Sequence, residues 1–174
     1  MLRAWFNRWR RRLVHGLLHR MVFGEASAGV SLPNTRIAPS TCIEHDSRLQ
    51  LADHVYVGPF CFIEASAGVT IGEGVQVTHH VSIVTHSSHR AQRLLGRAYV
   101  DWPGPRPGWI AGAVEIGPYC FIGPHSLLEA GTRTRLVESL SSFSRLSNHS
   151  IREPRLTASA AACPKRSTSA RKLL

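Results

Sequence analysis

Acidic residues are scarce in this chain: eleven Asp and Glu stand against twenty-one Lys and Arg in 174 residues, a formal net charge of +10. The scarcity is uneven. Residues 1–24 hold six Arg and no acid, residues 134–174 hold eight basic residues and two acids, and residues 25–133 hold seven basic residues and nine acids. A module that grips nucleic acid needs a basic face on its folded part, so a slightly acidic middle argues against nucleic acid as a partner. Cysteine is also sparse. Cys42, Cys61, Cys120 and Cys163 form no C-x-x-C pair and no metal-ligand spacing, which fits a reducing cytosol and leads us to expect no metal. No run approaches the roughly 18 apolar residues that span a bilayer, and no apolar segment followed by a small-residue cleavage site marks a secretory leader. A cytoplasmic location is expected.

The apolar fraction of 43% in 174 residues is enough for one domain with a sizeable core. Ahead of it, residues 1–24 read as a basic amphipathic helix. Leu2, Trp5, Phe6, Trp9, Leu13, Leu17 and Met21 fall on one stripe, with Arg8, Arg11, Arg12 and His15 away from it. Such a helix either packs on the domain or lies in a membrane interface, held by apolar burial and attraction to anionic headgroups. The second case makes the protein peripheral at the inner face of the plasma membrane.

The middle of the chain is periodic. Aliphatic residues open hexads at Ile37, Ile43, Leu51, Val57, Ile63, Ile71, Val77 and Ile83, and the starts recur at intervals of twenty: 37, 57, 77; 43, 63, 83; 51, 71. A fixed period of this kind marks stacked structural repeats. Alternate side chains of a strand share a face, so the first residue of each hexad and the residue two places before the next one are expected to face inward. Gly and Pro in second to fourth place are expected to turn the corners. The pattern returns at Ile116, Ile122 and Leu128 after twenty-five extra residues. That insertion, about residues 87–113, carries Tyr99, Trp102 and Trp109, and long loops inside compact repeats are usually functional.

The hexads "IGEGVQ", "IGPYCF" and "IGPHSL", followed by "LEAG", resemble those of the bacterial hexapeptide-repeat acyltransferases, including enzymes that O-acetylate sugars and polysaccharides. The resemblance covers residues 37–133. It implies an all-β fold, a left-handed parallel β-helix, in a homotrimer that takes acetyl-CoA as acyl donor in a groove between subunits. It also implies one His as general base, carried in that family by a short strand ending in Thr-His or Gly-His before an inserted loop. Here "VSIVTHSSHR" matches, which makes His86 the expected base and His89 the alternative. A base with pKa near neutrality suits deprotonation of an alcohol or amine as it attacks a thioester.

Tyr99, Trp102 and Trp109 are candidate platforms for a sugar; with the N-terminal helix they point to a sugar or lipid-linked saccharide acceptor, such as a surface-polysaccharide precursor. CoA-contacting residues are not assigned. His79, His80 and His125 fall at hexad corners, where solvated polar residues are ordinary, and are read as structural.

Glycine disappears after residue 131, and the aliphatic-Gly hexads disappear with it. Residues 134–174 therefore read as an atypical tail, irregular or partly helical, with Leu136, Leu140, Phe143 and Leu146 able to form a capping helix, or else as an aberrant ending. The domain then runs from 25 to 133, and loss of its last coils makes a catalytically impaired trimeric scaffold the alternative function.

Overall fold

In a computed structural model of the chain, which describes residues 2–147, the protein is mostly short strands in parallel sheets. Helix α1 (Leu2–Leu18) leads into an antiparallel hairpin of Glu25–Ser27 with Val30–Leu32. Three parallel sheets follow. The first stacks Arg36–Ile37, Tyr56–Val57, Gln76–Val77, Phe121–Ile122 and Ser139–Leu140. The second stacks Cys42–Glu44, Phe62–Glu64, Ser82–Val84, Leu127–Leu128 and Arg145–Leu146. The third stacks Leu49–Leu51, Val69–Ile71 and Val114–Ile116.

The register follows the sequence period. Ile37 pairs with Val57 and Val57 with Val77, twenty residues apart each time. Across the insertion the offset becomes forty-five, as in Val77 with Ile122 and Ile71 with Ile116. The insertion therefore leaves all three ladders in phase. Hexad starts Val57, Ile63, Ile71, Val77, Ile83, Ile116, Ile122 and Leu128 are buried, as are Val55, Cys61, Val69, Val75, Val81, Val114 and Cys120 two places before a start. Burial also pushes the Cys61 thiol pKa up.

Two features depart from the sequence reading. The corners are turned chiefly by residues other than Gly: His54, Phe60, His80, Tyr119, His125, Val137 and Phe143, each in fourth place, all have φ between 56° and 60°. Gly in second place serves close approach instead. A Cβ on Gly58 would lie 2.7 Å from the backbone of Thr78 in the next repeat, closer than packed atoms come.

The ladder also continues past Arg133. Leu140 pairs with Ile122 and Leu146 with Leu128, and Arg133 bridges to Glu115, so the last repeat is eighteen residues long. Thr134 takes the aliphatic place, and its Oγ1 accepts a 3.0 Å bond from the Gly117 amide. Leu136, Leu140, Phe143 and Leu146 are therefore on turns and strands rather than on a helix; residues 148–174 lie outside the described part. Leu136, Val137 and Phe143 remain exposed on this last repeat.

Helix α1 does not pack its stripe on the domain: none of its residues is buried, and Leu2, Trp5, Phe6, Trp9 and Leu17 are each at least half exposed. Met21 lies past its end. No helix among the described residues is long and apolar enough to cross a membrane.

Candidate functional site

The twenty-five extra residues leave and re-enter the ladder through a closed neck. His86–Ser87 pairs antiparallel with Ile110–Ala111, and the Gly112 amide donates to the Thr85 carbonyl at 2.9 Å. Between the strands lie α2 (His89–Leu95), a 3-10 turn over Gly96–Tyr99 and an irregular return. The return packs closely on α2: a Cβ on Gly108, whose φ is +79°, would meet Leu94 Cδ1 at 2.9 Å and the Ala91 nitrogen at 3.1 Å. This close seat carries the next residue, Trp109, to the mouth of the neck.

There Trp109 lies flat on His86, with ring centroids 5.1 Å apart and planes within 8°. On the ring's edge, His86 Nδ1 is 2.8 Å from Glu64 Oε2 and 3.1 Å from Ser66 Oγ. Glu64 comes from the preceding repeat, where it pairs with Val84 in register, so that His86 stands two residues beyond its partner. Its side chain is only 4% exposed, against 35% for His86.

A buried carboxylate needs partners to stay ionised. Glu64 Oε1 accepts from the Ser66 amide at 2.7 Å, and Oε2 accepts from the Thr85 amide at 3.0 Å and hydroxyl at 2.7 Å. Burial by itself raises the Glu64 pKa, but these bonds from Ser66 and Thr85 outweigh it and lower the pKa to about 2. An ionised carboxylate only accepts, so the Nδ1 of neutral His86 carries the proton and Nε2 carries the lone pair. Nε2 makes no hydrogen bond among the described residues.

The other expected site residues are placed differently. His89 Nδ1 is 2.7 Å from Ser87 Oγ at the exposed start of α2, and no carboxylate pairs with it among the described residues. The Tyr99 carbonyl accepts from Arg106 Nε at 2.9 Å, and that guanidinium lies 4.7 Å over the Tyr99 ring. Trp102 donates its indole N–H to the Pro105 carbonyl at 3.3 Å. Of the three aromatics only Trp109 contacts His86; Tyr99 and Trp102 brace the far part of the insertion. Glu64 was missed from sequence because an acid in second hexad place looks solvated. The available signal was its position one repeat and two residues before His86.

A second histidine group occupies a different corner. His79, His80 and His125 are exposed, and their rings meet with centroids 4.9 to 5.5 Å apart. No protein-family model matches this chain, and no curated protein matches it. The functional reading therefore rests on these residues and their geometry.

Proposed function

We propose that this protein is an acyltransferase of the hexapeptide-repeat kind, folded as a left-handed parallel β-helix, that moves an acetyl group from acetyl-CoA to a hydroxyl or amine of a sugar. The observation that carries the reading is the Glu64–His86 pair at the mouth of the insertion, with the lone pair of Nε2 open. In this reading Nε2 takes the proton of the acceptor as its oxygen or nitrogen attacks the thioester carbonyl carbon. The C–S bond then breaks, the imidazolium returns the proton to the departing thiolate, and the products are the acetylated sugar and free CoA thiol. Glu64 touches neither reactant; it fixes the tautomer and orientation of His86 and balances the charge on the imidazolium. Trp109 covers one face of the ring.

A homotrimer with CoA between subunits belongs to the same proposal, as does a lipid-linked saccharide acceptor at the cytoplasmic membrane face. The exposed α1 supports the membrane part. None of its five Arg residues enters an ion pair among the described residues, and its aromatic stripe is free of the domain, an arrangement suited to an anionic interface.

The test is calorimetric titration with acetyl-CoA, followed by thiol release across a panel of hydroxyl and amino sugars. Saturable donor binding and thiol release that requires His86 are expected. Absence of donor binding would overturn the proposal and leave the trimeric scaffold. For α1, the full chain should sediment with anionic vesicles and less so in high salt, while a chain lacking residues 1–24 should not; equal sedimentation of both removes the membrane part.

A further inference from the structure

The corner that holds His79, His80 and His125 stacks aromatic residues at one hexad place in successive repeats. Phe60, His80, His125 and Phe143 all stand in fourth place with left-handed backbone, at φ between 56° and 59°. Their rings form a column: Phe60 to His80 at 5.1 Å, His80 to His125 at 4.9 Å and His125 to Phe143 at 5.0 Å between centroids. His79 joins from the side, with its Nδ1 3.0 Å from that of His80. Phe60 and Phe143 flank the two imidazoles of the column. The backbones are pinned as well, the His80 amide to the Pro59 carbonyl at 3.1 Å and the His125 amide to the His79 carbonyl at 3.4 Å.

One ring nitrogen from each of the three histidines can be chosen so that all lie within 4.8 Å of one another. A tetrahedral ion with bonds of about 2.0–2.1 Å to imidazole needs nitrogens about 3.3 Å apart, so the exposed rings of His80 and His125, stacked within 20° of parallel, must turn out of the stack to aim their nitrogens at one ion. We propose that His79, His80 and His125 bind one divalent transition ion of the Zn²⁺, Co²⁺ or Ni²⁺ class, with the fourth position left to water or an exogenous ligand. Three imidazoles select these ions over Mg²⁺ and Ca²⁺, which prefer oxygen. No carboxylate is hydrogen-bonded to the three rings among the described residues, so the ion's charge is balanced by solvent. Its position gives the ion a structural consequence. His79 and His80 precede the insertion and His125 follows it, so the ion ties together the two repeats that the twenty-five residues separate.

The inference does not depend on acyl transfer, and its test uses the full chain without acetyl-CoA. Titration with Co²⁺, followed by visible absorption and calorimetry, should give one equivalent per chain with Zn²⁺ competing and Mg²⁺ without effect. His79→Ala and His125→Asn should each weaken binding at least tenfold; Asn is chosen at 125 because it tolerates positive φ. The competing chelate is His15 on α1 with His19 just past its end, four residues on, with centroids at 5.7 Å. Retention of Co²⁺ by a His15→Ala, His19→Ala double variant is expected, and loss there overturns the inference. Saturating Zn²⁺ should raise the melting temperature of the native chain by several degrees and leave His125→Asn unmoved. No Co²⁺ uptake by the native chain, or equal uptake by His125→Asn, also overturns it.

Discussion

Two groups of histidines stand on the same ladder, and their neighbours make them chemically different. At the neck of the insertion, His86 has a buried, ionised carboxylate on Nδ1, one face against Trp109, and Nε2 open. At the corner, the side chains of His79, His80 and His125 meet other rings, no carboxylate is bonded to them among the described residues, and all three are exposed. The first arrangement specifies one tautomer and one direction for a proton. The second specifies neither, and offers several nitrogens at once. The residue type is the same in both; what the imidazole is good for is decided by whether an acid stands behind it.

This contrast can be broken experimentally. The largest expected effect is on His86→Ala, which should lower acetyl transfer by about 10²–10⁴ with unchanged far-ultraviolet circular dichroism; an equal loss in His125→Asn would erase the distinction between the two groups.

Glu64→Gln comes next. The amide leaves the ring in place but no longer fixes its tautomer, and a fall of about a hundredfold in turnover is expected, as for a misplaced catalytic group. Its separate signature is in stability. Because the folded-state pKa of Glu64 is lowered from 4.5 to about 2, the native chain gains stability from this carboxylate above pH 4.5 and loses it as the pH falls toward 2. Denaturant midpoints should therefore drop less between pH 5 and 2.5 in Glu64→Gln than in the native chain. Parallel curves would show that the carboxylate is not held ionised by the fold.

A smaller effect is expected for Trp109→Ala, about a tenfold fall in kcat/KM from a looser ring, and the smallest for His89→Ala, within about twofold, as for an exposed side chain away from the reacting groups. If His89→Ala abolishes transfer while His86→Ala does not, the neck has been read with the wrong histidine.

The ladder was legible in the sequence where an aliphatic residue marks each start, because burial of that residue is what holds successive strands in register. The size of the insertion was legible for the same reason: the pairing of Ile71 with Ile116 preserves the phase that the spacing implies. The last repeat was hidden. Thr134 replaces an aliphatic residue by hydrogen-bonding its hydroxyl, Arg135, Leu136, Ser141 and Ser142 stand in the second and third places where earlier hexads carry Gly and Pro, and the spacing shortens by two, so most of the usual marks are missing although Leu140 and Leu146 keep their places. Glu64 was hidden for a different reason. Its burial arises from Ser66 and Thr85 closing over it across two repeats, a contact that no local pattern carries.

The closed neck also separates the insertion from the ladder that carries it. Because the insertion leaves at His86 and returns at Ala111 on directly paired residues, its interior can be lengthened, shortened or replaced without displacing a rung. The entropic penalty for a longer excursion grows only with the logarithm of its length. Glu64 stays behind in the ladder, and His86 stays at the threshold. The insertion thus behaves as an interchangeable head on a fixed body: on the proposed reading, residues that would face an acceptor can change while the ladder keeps Glu64 and His86 in place.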